Sequence, residues 1–283
     1  MDVSLGVPQG SFLEPLLFII YINDFVKSTS TLTSYLFADD TTILHSDRDF
    51  INLTSMVNSE LCKISAWFKS NRLTLNAAKS NYIIFGSKRL PSTDCSKLIS
   101  MDGTYLGRVE STKFLGVLID EKLSWKSHIK HVCTKTAQGL GVMNRLKYFL
   151  PEHILLTLYY TLVYPHISYC AIIWGSAYAT ALLPLLTLQK KIMRVIAFAE
   201  FNAHTALLFA KYETLRVSDI YMLQVLSFMY KPKNNLLPHS CMRYHIQSLD
   251  TIHDTRKKSY FMIQSYRTDV RKKSIAIVGP ILE

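Results

Sequence analysis

The chain has 283 residues, 49% of them hydrophobic, and a net charge of +11 from 32 Lys+Arg against 21 Asp+Glu. That length can bury a full core and hold two domains. The cysteines Cys62, Cys95, Cys133, Cys170 and Cys241 are odd in number and widely spaced, and neither His239-Cys241-His245 nor His128-His131-Cys133 completes a four-ligand zinc pattern. Reduced thiols in an intracellular protein are therefore expected in preference to a disulfide scaffold or zinc site, and Met1 is followed too quickly by Asp2 for a signal peptide.

Gly6-Val7-Pro8-Gln9-Gly10-Ser11 opens the chain as a glycine-punctuated loop whose backbone can approach a ligand closely. The apolar run from Leu13 to Phe25 is too short to span a bilayer and predicts a buried helix. Ser11 and Glu14 have capping-box spacing, and Pro15, which prefers the first helical turn, sets the start near Glu14. Ser34 to Ala38 and Thr41 to Leu44 then read as two strands with Asp39 and Asp40 between them, lifted onto a hairpin tip. Adjacent carboxylates repel, and a hard divalent cation with oxygen ligands, Mg²⁺ above all, offsets that repulsion. Ordinary turn chemistry is the other reading of an Asp-Asp pair. Phe50, Leu53, Val57, Leu61, Ile64 and Phe68 recur every three or four residues, which predicts an amphipathic helix over 49–69. Leu75-Asn76-Ala77-Ala78-Lys79 precedes a strand-like Tyr82-Ile83-Ile84-Phe85, residues 88–104 read as a surface loop, and Lys113 to Val117 reads as strand with Gly116 inside it.

The remainder is mostly helical in pattern. One long helix is expected over 124–149, tolerating Gly139 and Gly141, and Pro151 opens the next. From His153 to Gln189 there is no Asp, Glu, Lys or Arg, which raises the question of a membrane span. Pro165, Gly175 and Pro184 interrupt the run, and its first piece is too short to cross roughly 30 Å of hydrocarbon at about 1.5 Å per residue. Core helices with no stable membrane association are expected instead. Further helix follows over 198–231, with a break at 232–238. Charge divides unevenly: residues 1–121 hold 11 Lys+Arg and 13 Asp+Glu, a net −2, and residues 122–283 hold 21 and 8, a net +13. A near-neutral first part and a basic second part fit a catalytic region followed by one that grips nucleic acid, with binding that weakens in salt. Solvated basic faces such as Arg256-Lys257-Lys258 and Arg271-Lys272-Lys273 are the plainer alternative.

Taken in order, Gly6-Val7-Pro8-Gln9-Gly10-Ser11, Pro15-Leu16-Leu17-Phe18, Tyr21-Ile22-Asn23-Asp24 and Phe37-Ala38-Asp39-Asp40 resemble the reverse transcriptases of non-LTR retrotransposons, the jockey-like group in particular. The resemblance implies an α+β fold: a partial polymerase palm over 1–121, with a small antiparallel sheet packed on helices, a helical thumb over 122–200, and a helical, basic C-terminal extension over 201–283. It implies RNA-directed DNA polymerase chemistry with two Mg²⁺ ions, an RNA template, a DNA primer and deoxynucleoside triphosphates, in the nucleus or a cytoplasmic ribonucleoprotein. Asp39 takes the role of metal ligand, Asp40 that of the acid beside it, and Lys79 that of proton donor to the pyrophosphate leaving group. Gln9, Gly10, Phe37 and Ala38 would lie near template and nucleotide, and Phe114, Leu115 and Gly116 would form the primer grip.

Two departures stand out. Glu14 occupies a position where the family usually has Gly, and Asp2 is too close to the Gln9-Gly10 loop to be the upstream metal-bridging aspartate. With that acid and the fingers missing, the chain by itself is expected to show little or no polymerase activity. An unpaired sheet edge and exposed apolar surface are also expected. The alternatives are a non-catalytic RNA- or DNA-binding remnant and, last, a membrane-associated helical protein.

Overall fold

The computed structural model describes residues 10–76, 79–86, 99–101, 103–234, 236–238, 261 and 265–282. The fold is α+β, and it divides into two compact units, Met1–Thr112 and Lys113–Glu283.

In the first unit helix α1 (Glu14–Ile22) begins where Pro15 demands. Ser11 Oγ accepts the Glu14 N–H at 3.2 Å and Glu14 Oε2 accepts the Gly10 N–H at 2.8 Å, so the expected capping box does not close on Ser11, and the N-cap position falls on Leu13 without a side-chain bond. A single 3₁₀ turn, Phe25–Ser28, leads to strands β1 (Thr33–Phe37) and β2 (Asp40–Leu44). Helix α2 (Phe50–Ser70) follows, with the Asp49 carboxylate accepting the N–H groups of Ile51 and Asn52. Its apolar stripe closes the core: Leu61 and Ile64 are buried, and Trp67 and Phe68 lie edge-on and tilted against the buried Phe25 ring at 5.2 and 5.6 Å. One acid goes inside with them. Glu60 is buried, accepts from Thr29 Oγ1 at 2.5 Å and pairs with Lys63 Nζ at 2.6 Å. The Lys63 ammonium, then the Thr29 hydroxyl, hold its carboxyl down at about 2.

Several expectations fail in this unit, among them the far end of the 88–104 surface loop, where Ile99 and Met101 are buried. The Leu13–Phe25 run is a helix but not a buried one: of α1 only Ile22 is buried, with Phe18 partly so, while Leu16, Leu17, Ile19, Ile20 and Tyr21 are exposed. The helix is apolar on every side, and the core takes only the i, i+4 pair. In place of one small antiparallel sheet there are separate two-stranded pairs. β3 (Asn81–Tyr82) runs parallel to β6 (Gly107–Arg108), β4 (Ser100–Met101) pairs antiparallel with β5 (Thr104–Tyr105), and among the described residues β1 pairs with β2 alone. The strand expected over 82–85 shrinks to Asn81–Tyr82 because only there does β6 supply a ladder. Among the described residues no third strand joins β1–β2, and apolar side chains of α1 are exposed.

The second unit opens on β7 (Ser111–Phe114), which crosses the division, and β8 (Val117–Asp120). The Asp120 carboxylate accepts the N–H groups of Ser124 at 2.9 Å and Trp125 at 2.8 Å and so starts helix α3 (Lys126–Leu146) inside the predicted 124–149 span. Pro151 caps α4 (Glu152–Leu162), then come α5 (Tyr164–Ser168), α6 (Ala171–Trp174), α7 (Ala179–Ile196), α8 (Ala206–Lys211), α9 (Val217–Lys233), α10 (Asp269–Lys272) and α11 (Ile275–Leu282). The uncharged run is folded as α4 to α7, with Leu155, Tyr159, Val163, Ile167, Trp174 and Leu185 buried, and no helix among the described residues is long and apolar enough to cross a membrane. Gln189, wholly buried, donates to Tyr159 Oη and the Leu215 carbonyl, both at 2.9 Å, and accepts the Val217 N–H at 3.1 Å. Its amide thereby ties α4, α7 and the start of α9 with its donors and acceptor used.

The helix expected over 198–231 is broken. Phe198 (φ 52°) and Glu213 (φ 49°) take left-handed backbone that terminates α7 and α8. Pro232, expected to lie in the break, is instead in the last turn of α9, which runs two residues further than expected, to Lys233.

Candidate functional site

The hairpin β1–β2 is set by its cross-strand register: Thr33 faces Leu44, Tyr35 faces Thr42, Leu36 faces Thr41 and Phe37 faces Asp40. Leu36 and Ile43 point to the core of the first unit, and strand alternation then leaves Tyr35, Phe37 and Leu44 exposed. The two-residue loop is Ala38-Asp39, one residue earlier than the expected Asp39-Asp40, so Asp40 is the first residue of β2, and Ala38 adopts φ 51°. For an L-residue with a Cβ that conformation costs about 1–2 kcal/mol, a strain held at the tip. Asp39 and Asp40 are both exposed. Neither carboxylate has a hydrogen bond or ion pair among the described residues. Two hard oxygen donors side by side, open to solvent and not neutralised by a lysine or arginine, suit a divalent cation that keeps several waters. Among the described residues no cluster of three or more His, Cys, Asp or Glu is placed to hold a metal.

The other expected site residues are distributed as follows. Gln9 and residues 6–8 lie outside the described residues, as do Ala77, Ala78 and the cluster His239-Cys241-His245. Gly10 has φ 85°, a backbone requirement for glycine, with nothing within 4 Å of an added Cβ. Lys79 is exposed and sits in a turn where Asn76 Oδ1 accepts its backbone N–H at 3.2 Å. No hydrogen bond or ion pair joins Lys79 to Asp39 or Asp40 among the described residues.

Phe114, Leu115 and Gly116 belong to the second unit. Leu115 (φ 43°) and Gly116 (φ 87°) are the two loop residues between β7 and β8, and positive φ at both is the primed turn that matches strand twist. A Cβ on Gly116 would stand 3.1 Å from Tyr169 Cε1, and Tyr169 Oη donates to the Leu115 carbonyl at 2.5 Å. Sequence reasoning did not find Tyr169, because its partner is 54 residues away and no local pattern marks it. His128 supports the same hairpin. It is buried, and its Nδ1 accepts the Leu118 N–H at 3.3 Å. Burial first, and the charge of His131 second, press its imidazole down to about 4, so it stands neutral.

The family described as reverse transcriptase (RNA-dependent DNA polymerase) matches residues 2–119. That match takes in less than half of the chain, and the curated proteins the chain is similar to include RNA-directed DNA polymerases of jockey and of other non-LTR elements. The chain is 27% identical over 209 residues to the probable RNA-directed DNA polymerase from transposon X-element of Drosophila melanogaster, covering 71% of this chain and 22% of that protein. It is 24% identical over 253 residues to the RNA-directed DNA polymerase from mobile element jockey of the same species, covering 85% and 27%. It is 28% identical over 206 residues to the probable RNA-directed DNA polymerase from transposon BS, again of Drosophila melanogaster, covering 68% and 22%. The chain thus spans about a quarter of the length of these relatives. No solved structure matches it. Reverse transcriptases as a family use divalent metal ions.

Proposed function

We propose that this chain is the part of a non-LTR retrotransposon reverse transcriptase that carries the metal-binding hairpin. In this reading residues 1–121 are palm, 122–200 thumb and 201–283 a basic extension, and the substrates are an RNA template, a DNA primer and deoxynucleoside triphosphates in the nucleus or a cytoplasmic ribonucleoprotein. The observation that carries it is the pair of unpartnered, exposed carboxylates at the β1–β2 tip, inside the segment that matches the family.

Nucleotidyl transfer asks the protein mainly for positioning and electrostatic stabilisation. Asp39 and Asp40 would hold Mg²⁺, which supplies positive charge to the attacking and departing oxygens. Lys79 would give a proton to the pyrophosphate oxygen as charge builds there. The Gln9-Gly10 backbone would lie against the new base pair, and the Phe114–Gly116 turn against the primer. Two metals need a further shared carboxylate, and the described residues bring no third acid to the pair. An ångström of misplacement already costs about 10²-fold in rate, so the 283-residue polypeptide alone is expected to bind metal weakly and extend primers little or not at all.

Titration of the chain with Mn²⁺, followed by electron paramagnetic resonance, tests the hairpin. The expected result is a weak site lost in Asp39→Asn and weakened in Asp40→Asn. Binding indifferent to both substitutions overturns the assignment. Primer extension on an RNA template tests the inertness: robust extension abolished by Asp39→Ala would refute it. The net +13 of residues 122–283 favours a second reading, nucleic-acid holding without chemistry. A filter-binding response that stays flat across salt would remove it.

A further inference from the structure

We infer that the second unit carries a separate site for unpaired nucleotides, in an open groove of about 520 Å³ where α3 and α7 end. Its walls are aromatic and cationic: Tyr148, Phe198 and Phe201 with Lys147, Lys191 and Arg194. The local fold puts them there. The left-handed Phe198 stops α7, the Ala199 N–H turns back to the Arg194 carbonyl at 3.0 Å, and the exit leaves Phe198 56% and Phe201 82% exposed. Tyr148, just past the end of α3, is 79% exposed, and Lys147 Nζ stands 5.1 Å from its ring centroid. Arg194 is fixed by donating from Nε to the Ala203 carbonyl at 2.9 Å.

Basic residues near helix ends are commonly explained by the helix dipole, and here that explanation falls short. Two C-termini present about −0.5 charge each, against the three cations of the groove, leaving a surplus of roughly +2. No carboxylate lines the groove, and none pairs with Lys147, Lys191 or Arg194 among the described residues. Glu200, the nearest acid in sequence, is exposed and outside the lining. A lone exposed aromatic needs no explanation, but three of them around a positive groove describe a ligand that is anionic and flat-ringed. Single-stranded RNA or DNA is both, stacking bases on aromatic faces while cations track its backbone. A duplex keeps its base faces stacked inside. An acidic peptide would answer the charge and leave the rings unused.

The inference rests on the nucleic-acid reading above only for the class of occupant. Fluorescence anisotropy of the full chain with a labelled oligouridylate, and with a duplex of equal length, tests it in EDTA across a KCl series. Tyr148→Ala and Phe201→Ala, both at surface positions, are expected to lower single-strand affinity by roughly 5- to 150-fold each and leave duplex affinity alone. Lys191→Gln is expected to reduce the salt slope by about 0.7. An oligouridylate carrying 4-thiouridine is expected to crosslink within residues 140–201. Unchanged affinity in the Tyr148→Ala/Phe201→Ala double variant overturns the groove, as do crosslinks confined elsewhere or equal competition by oligoglutamate. Strand binding that ignores these variants removes the groove alone, whereas no strand binding at all removes the nucleic-acid reading as well.

Discussion

Gly116→Ala separates two reasons for a glycine at the β7–β8 turn. The substitution places a Cβ at φ 87° and 3.1 Å from Tyr169 Cε1. Left-handed backbone costs an L-residue about 1–2 kcal/mol, and the stiffer unfolded chain returns about 0.4–1 of it. Tyr169 must then move, which weakens its hydrogen bond to the Leu115 carbonyl, another 0.5–1.5 kcal/mol or so. The sum is about 2 kcal/mol, or close to 1 M in a urea midpoint at an ordinary slope. Urea unfolding read by tryptophan fluorescence measures it in a Trp67→Phe background, where Trp125 and Trp174 remain and both lie in the second unit. Tyr169→Ala in the same background relieves the steric part, so the cost of Gly116→Ala there should fall to the backbone part, about 1 kcal/mol. A Gly116→Ala chain with the parent midpoint would refute the packing argument. So would a cost that Tyr169→Ala leaves unchanged. If the glycine instead serves a primer, the loss appears in nucleic-acid affinity and not in the midpoint.

Two further predictions concern α3 and acid. Gly139→Ala pushes a Cβ to 2.6 Å from Val163 Cγ2 and should destabilise by about 1–2 kcal/mol after its helix gain, while Gly141→Ala meets nothing within 4 Å and should stabilise by about 1 kcal/mol. Thermal melts of the two variants should therefore shift in opposite directions. Glu60 is held at about 2 against its ordinary 4.5, so its contribution is present above pH 4.5 and is lost as pH falls toward 2. His128, held at about 4 against 6.5, is neutral when folded, and the unfolded chain gains its proton first. The second unit should therefore lose stability as pH falls from 6.5 to 4, by roughly 3 kcal/mol at most. Urea midpoints against pH check both: Glu60→Gln should flatten the lower window and His128→Asn the upper one.

What could be read from the residues was local. The stripe of α2 and the Asp39-Asp40 hairpin follow from spacings of a few residues, and the start of α4 follows from Pro151. What could not be read depends on distant partners. An all-apolar α1 has no polar side from which to infer its buried one, and the 82–85 strand is shortened by a ladder that only β6 supplies. Gln189 looked like the end of an uncharged run, yet it is a buried clamp whose partners are 26 to 30 residues away. The aromatic groove was hidden for the same reason: Tyr148 and Phe201 are far apart in the chain and meet only because α3 and α7 end together.

The same division between local and distant bears on the chemistry proposed for Asp39 and Asp40. With Leu36 kept on the core, a slip of one residue in the β1–β2 pairing would turn Ile43 outward and Asp40 inward, forfeiting apolar burial and burying a charge. Register and the two-residue turn therefore fix how the acids are displayed, using residues within 33–44 alone. Two-metal geometry is a different quantity, because it needs a carboxylate brought in from another strand. A chain can keep the first and lack the second. That is why metal binding at the tip and primer extension are expected to part company here, and why the Mn²⁺ titration, not the polymerase assay, bears directly on the hairpin.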